Sequence, residues 1–193
     1  PTGGFAEAAF PVTVRPVNDA PVRVSAIPGA AFDEDTVAAD ALGGNVTLHF
    51  WDVEGDPLTI MVFGGASVGS TVRAGGLVDL WAAANWSGAE TLRVRATDPA
   101  GAFAEGPFVA TVRPVNDAPV LAATLPAPAF DEDTTAADVL AGPVTPHFTD
   151  IDGDTLTFTI LGGAQVLSRL NPSLTLDLWA AANWSGAETL RVR

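Results

Sequence analysis

Carboxylates are the most chemically capable residues in this chain, and they recur in a fixed order. The linker pair Asn18-Asp19 is followed by Asp33-Glu34-Asp35 and then by Asp52-Val-Glu54-Gly-Asp56. Each group returns 98 residues later, as Asn116-Asp117, Asp131-Glu132-Asp133 and Asp150-Ile-Asp152-Gly-Asp154. The two triads and their copies hold twelve of the 23 acidic residues. Like charges gathered this closely repel unless a cation sits among them. Oxygen donors at alternate positions around a glycine turn suit Ca²⁺, which takes six to eight such ligands. The Asp150 group begins like an EF-hand loop, but the twelfth position is Leu161, so that loop is excluded. With no Cys and one His per repeat (His49, His147), zinc and copper are poorly served. The competing reading is a set of solvated loop charges that cap turns.

Other side chains offer weaker chemistry. Five Trp are present, at 51, 81, 86, 179 and 184. Exposed Trp can stack on sugars, whereas packed Trp fills sandwich cores and ends. Trp51 has no counterpart in the repeat, where Thr149 stands, and is the one expected to be exposed. His49 and His147 fall within apolar alternation and read as structural. No Gly-x-Ser-x-Gly nucleophile elbow occurs. A pair of carboxylates can hydrolyse glycosides, but it needs a cleft that small repeats rarely build, so the chain is read as non-enzymatic. Asn45, Asn85 and Asn183 head Asn-x-Ser/Thr triplets that a glycosylating host could modify.

The elements that must position these residues are set by the same repetition. Leu80-Trp-Ala-Ala-Ala-Asn-Trp-Ser-Gly-Ala-Glu-Thr-Leu-Arg-Val-Arg95 also returns at 178–193 without a gap. A period of this size marks tandem domains, each with its own core. Hydrophobic residues make up 48% of the chain, enough for packed cores, and no apolar run approaches a membrane span. A net charge of −14 argues against nucleic acid as a partner and favours divalent cations. Period-two alternation at 46–50, 58–62, 92–95 and 108–112, broken by Gly and Pro turns, predicts short strands with one buried face. About seven strands in 98 residues predicts an all-β fold of tandem immunoglobulin-like Greek-key sandwiches.

In this order the residues carry a family resemblance. Asp-Glu-Asp-Thr, Asp-x-Asp-Gly-Asp-x-Leu, Asn-Trp-Ser-Gly-x-Glu-Thr-Leu-x-Val, Ala-Thr-Asp-x-x-Gly and Val-x-Pro-Val-Asn-Asp-Ala-Pro-Val together resemble the cadherin-like tandem repeats of large bacterial surface proteins. The resemblance implies calcium at the domain ends and a role in adhesion. It places Glu34 as an acidic ligand at the first strand, Glu90 as a strand-end glutamate and Asp52/Glu54 as the Asp-x-Asp pair, with Asp150/Asp152 the copy. Asp98 takes the place of the Asp before the last strand, and Asn116-Asp117 that of the linker ligands. Pro114 and Ala118 stand where a cadherin linker carries further ligands, which points to one or two ions per repeat rather than three.

The phase of the repeat divides the chain into 1–20, the last strand of a preceding repeat; 21–118, a complete repeat; and 119–193, a repeat without its last strand. It reads as a window on a longer array. The expected function is a calcium-rigidified extracellular stalk for cell-surface adhesion, in which calcium joins the Asp33–Asp35 end and Glu90 of one repeat, the linker, and Asp150–Asp154 of the next. Its partners would be neighbouring repeats of the same chain and a surface ligand, with no membrane insertion. The alternatives are a carbohydrate-binding module and a self-assembling filament or sheath subunit, the latter through head-to-tail pairing of the N-terminal strand with the open second repeat.

Overall fold

A computed structural model describes residues 3–193. The chain divides into two compact units, Pro1–Val115 and Asn116–Arg193. Both are built from strands, as expected of a Gly- and Pro-punctuated sequence with period-two alternation.

The first unit contains nine strands. They are β1 (Val22–Arg23), β2 (Ala30–Asp33), β3 (Val37–Ala38), β4 (Phe50–Trp51), β5 (Thr59–Phe63), β6 (Val68–Arg73), β7 (Leu77–Ala82), β8 (Gly88–Thr97) and β9 (Phe103–Arg113). Seven of them form the two main sheets, one ordered β2-β9-β8-β5 and the other β3-β7-β6. β1 and β4 make a small ribbon of their own. β9 is the keystone of the larger sheet, parallel to β2 (Phe32 opposite Val112) and antiparallel to β8 (Leu92 opposite Phe108). Its alternation is strict: Phe108, Ala110 and Val112 are buried, while Val109, Thr111 and Arg113 face out. They pack on Leu92 and Val94 of β8 and, across the sandwich, on Val78 and Leu80 of β7 in one core. As alternation required, Arg93 and Arg95 point away from that core and pair with Glu105.

One predicted strand is not a strand. Residues 46–49 form a 3₁₀ turn, and only Phe50–Trp51 extends. Asn45 Oδ1 accepts the Thr47 N–H at 2.9 Å, which starts the turn, and Leu48 is thrown outward. His49 therefore lies at the end of a turn rather than mid-strand, with its Nδ1 2.8 Å from Ser25 Oγ. His147 closes the equivalent turn, Thr145–His147. Residues 3–20, expected to carry a strand, have no strand assigned and are exposed.

The second unit contains β10 (Val120–Leu121), β11 (Thr135–Ala136), β12 (Phe148–Thr149), β13 (Ile160–Gly162), β14 (Val166–Leu170), β15 (Leu176–Ala180) and β16 (Leu190–Val192). The β11-β15-β14 sheet copies β3-β7-β6, and β13-β16 copies part of β5-β8. Residues 128–131, which correspond to β2, form no strand.

Candidate metal centre

In the first unit the linker pair meets the acidic end of the sandwich. The β4–β5 connection begins with Asp52, whose Oδ1 accepts the N–H groups of Glu54 at 3.0 Å and Asp56 at 3.3 Å. Gly55, at φ 75°, lets the turn close in the left-handed region. Asp52 is buried, and its Oδ2 has no hydrogen-bond partner. The β8–β9 turn begins with Asp98, also buried, whose Oδ1 accepts the Ala102 N–H at 2.9 Å. Asn18 Nδ2 donates to Asp98 Oδ2 at 2.9 Å, and the Asp19 N–H reaches Glu54 Oε2 at 3.4 Å. The Asn18 amide, ahead of partial burial that works the other way, holds the Asp98 carboxyl below its ordinary range, helped by N–H groups of the 100–102 turn. Asn18, Asp19, Asp52, Glu54 and Asp98 thus form one connected polar network.

The second unit repeats half of it. Asp150 Oδ1 accepts the N–H groups of Asp152 and Asp154, and the Asp117 N–H donates to Asp152 Oδ2 at 2.7 Å. The Asn116 amide turns to the Asp117 carbonyl.

The Asp33-Glu34-Asp35 group is divided among other tasks. Asp33 pairs with Arg113 at 2.6 Å, and buried Glu34 accepts the Val115 N–H at 2.8 Å, fastening the end of β9. Asp35 Oδ1 accepts the Asn85 N–H at 3.0 Å, bracing the Asn-Trp-Ser-Gly turn, and Asp133 does the same for Asn183. In the second unit the Thr134 hydroxyl donates to the Asp131 carbonyl, and Asp131 and Glu132 are exposed.

Glu90 likewise serves a loop rather than standing open as a strand-end ligand. Its carboxylate accepts the N–H groups of Ala66, Ser67 and Val68 at 2.9–3.1 Å. Partial burial pushes this carboxyl up, but the three N–H groups outweigh it and hold it below the ordinary range. Glu188 does the same with Ala164, Gln165 and Val166.

Sequence reasoning missed further recurrent carboxylates, among them Asp79 and its copy Asp177. Asp79 accepts the Asp40 N–H and pairs with Arg73; Asp177 accepts the Asp138 N–H and pairs with Arg169. The Arg169 guanidinium first, then the Asp138 N–H, bring the Asp177 carboxyl to about 2. The signal was available in the 98-residue recurrence itself, which marks structural carboxylates as faithfully as ligating ones.

Among the described residues, no three His, Asp or Glu side chains are gathered so as to hold an ion as they stand. The network around Asp52 nevertheless has the right donors for a hard cation: all-oxygen carboxylates and one buried oxygen with no partner.

Residues 18–111 match the family model of the bacterial Ig domain. Residues 116–193 repeat 18–95 at the constant spacing. No curated protein matches the chain. Among solved structures it is similar to protocadherin gamma B7 extracellular cadherin domains 1–4 (12% identity, 84% of this chain and 41% of that one, TM-score 0.43). It is also similar to the human desmocollin-1 ectodomain (14%, 93% and 35%, TM-score 0.38). A third is the endo-fucoidan hydrolase MfFcnA9 of glycoside hydrolase family 107 (20%, 84% and 30%, TM-score 0.37). The chain spans less than half the length of each of these. No helix among the described residues is long and apolar enough to cross a membrane.

Proposed function

We propose that these tandem bacterial Ig-like, cadherin-like repeats serve as a structural and adhesive segment of an extracellular protein, and that Ca²⁺ stiffens them by locking each linker onto the repeat that follows it. The observation that carries this reading is the buried, unpartnered Asp52 Oδ2 at the point where Asn18 and Asp19 are tied to Asp98 and Glu54. A buried carboxylate oxygen without a donor costs about 1–3 kcal/mol, and a cation would remove that cost. Asp52, Glu54 and Asp98 would hold the ion together with the linker side chains of residues 18 and 19. In the second unit Asp117, Asp150 and Asp152 would do so. The ion supplies positive charge among the carboxylates and nothing chemical beyond that. No step of a reaction is required, in keeping with domain families that are generally non-enzymatic.

The test is thermal unfolding of the 193-residue chain in millimolar CaCl₂ and in chelator. Ca²⁺ should raise the midpoint, and Asp52→Asn combined with Asp150→Asn should abolish the rise. Small-angle scattering should show a greater maximum dimension with Ca²⁺ than with chelator. Identical curves in both buffers would end this reading.

A second reading, binding of a neutral glycan, is favoured by one observation. Trp51 is about half exposed on a groove of about 470 Å³ that Val24, Leu48, Asp56 and Pro57 also line. Its ring could stack on a sugar face while Asp56 accepts hydroxyls. Affinity electrophoresis of wild type against Trp51→Ala distinguishes the two readings.

A further inference from the structure

The lining of the groove beside Trp51 splits into two sets when the units are compared. Phe50, Asp52 and Asp56, which the fold uses, return 98 residues later as Phe148, Asp150 and Asp154. Val24, Leu48, Trp51 and Pro57 do not: Ala122, Pro146, Thr149 and Thr155 take their places. Val24, Leu48 and Trp51 are 57%, 75% and 54% exposed and lie outside the core cluster. An open apolar patch that the fold does not need marks a binding surface.

Asp52 ties this patch to the acidic network. It follows Trp51 directly, so the two side chains leave the backbone on opposite sides, Trp51 outward and Asp52 inward. Asp52 Oδ1 accepts the N–H groups of Glu54 and Asp56 and so holds the turn that presents Asp56 and Pro57 to the groove. Asp52 Oδ2 is the buried oxygen with no partner. One carboxylate therefore has one oxygen on the groove's turn and the other open to a cation. The remaining lining is fixed separately: the Val24 N–H donates to the His49 carbonyl at 2.9 Å, and Asn45 caps the turn that carries Leu48.

We propose that this groove binds a neutral sugar and that Ca²⁺ on Asp52 tightens the binding, an inference that rests on the two readings above, calcium at Asp52 and a sugar on Trp51. The ring of Trp51 takes the apolar face of the sugar, and Asp56 accepts its hydroxyls. With Asp52, Glu54 and Asp56 in one turn, negative charge excludes uronic and sulfated sugars. A cation on Asp52 immobilises its carboxylate and, through Oδ1, the 52–56 turn. The sugar then meets Asp56 and Pro57 already ordered and loses less free energy in fixing them. Coupling of this kind is reciprocal, so the sugar strengthens Ca²⁺ binding by the same factor. The second unit keeps the acidic turn without the Trp platform, so it takes Ca²⁺ but no sugar.

Native affinity electrophoresis of the 193-residue chain through gels containing a neutral β-glucan, mannan or galactan tests this, in CaCl₂ and in chelator. At least one polysaccharide should retard the wild type, with an affinity about fivefold or more higher in CaCl₂. The carboxymethylated form of that polysaccharide should not retard it. Trp51→Ala should abolish retardation in both buffers and leave the Ca²⁺-dependent rise of the melting midpoint in place. Asp52→Asn keeps an oxygen for the Glu54 and Asp56 N–H groups but carries no charge, so retardation should remain and lose its dependence on Ca²⁺. Asp150→Asn, in the second unit, should leave that dependence intact. Retardation by none of the polysaccharides removes the sugar reading and this proposal with it, while calcium-dependent melting still stands. Equal retardation in both buffers, in a chain whose midpoint Ca²⁺ raises, overturns the coupling alone; equal retardation with no rise of the midpoint removes the calcium reading as well.

Discussion

The two units share a sequence, but the second shows no counterpart of β2 or of β9, and the presence of β9 decides how much of each becomes core. With β9 in place, fifteen buried apolar residues of the first unit form one cluster among the described residues. Without its equivalent, three do so in the second. Phe32, Leu92 and Val94 are buried, while Phe130, Leu190 and Val192 are only partly so. The strand contributes three core residues and covers many more, because it lies inside its sheet rather than at an edge. The β3-β7-β6 sheet and its copy survive the difference, as do the glutamate-held loops. The lesson is that local hydrogen bonding builds half of this sandwich, and the closing strand makes it a core.

The largest test of this contrast is to extend the chain after Arg193 with a copy of residues 96–115. Burying the equivalents of Phe108 and Val112 should stabilise the second unit by about 3–6 kcal/mol, read by denaturant unfolding or amide exchange. Next comes an unequal pair: Leu92→Ala should cost about 2–5 kcal/mol in the first unit, and Leu190→Ala clearly less in the second, because partly covered side chains have less to lose. Equal losses would break the contrast. Smaller still, Glu90→Gln and Glu188→Gln should each loosen their loops to the same extent, since neither loop depends on the closing strand; local amide exchange at residues 66–68 and 164–166 reads this.

The smallest effect is on pH. Glu90 and Glu188 titrate below the usual 4.5, and Asp177 falls from 3.8 to about 2. Groups with depressed folded values add stability that is fully present above their unfolded values and is lost as the pH falls through the folded ones. The thermal midpoint should therefore begin to decline below about pH 4.5 and continue toward pH 2, in both units. A midpoint that held steady to pH 2 would contradict the N–H and guanidinium contacts described.

Much of this was legible in the residues. Period-two alternation placed β5, β8 and β9 and the outward arginines. The 98-residue spacing set the modules. It also gathered the carboxylates, but could not say which of them would be structural. Asp35 and Glu90 look like ligands in a list of acids and turn out, like Asp79, to accept backbone N–H groups, which depends on loops brought together from 22 to 50 residues away. Residues 46–50 alternate like a strand, yet the Asn45 cap turned them into a 3₁₀ segment, a local bond that outweighed a short pattern.

By itself the sequence determined the period, the strand faces and the turns, because side-chain alternation and backbone preference are local properties. Only the tertiary structure decided which pairings a strand makes. Residues 103–113 run inside their sheet, antiparallel to β8 and, at 110–113, parallel to β2. A β-strand's hydrogen bonds and buried face belong to its neighbours, so its fate lies in the partner it finds.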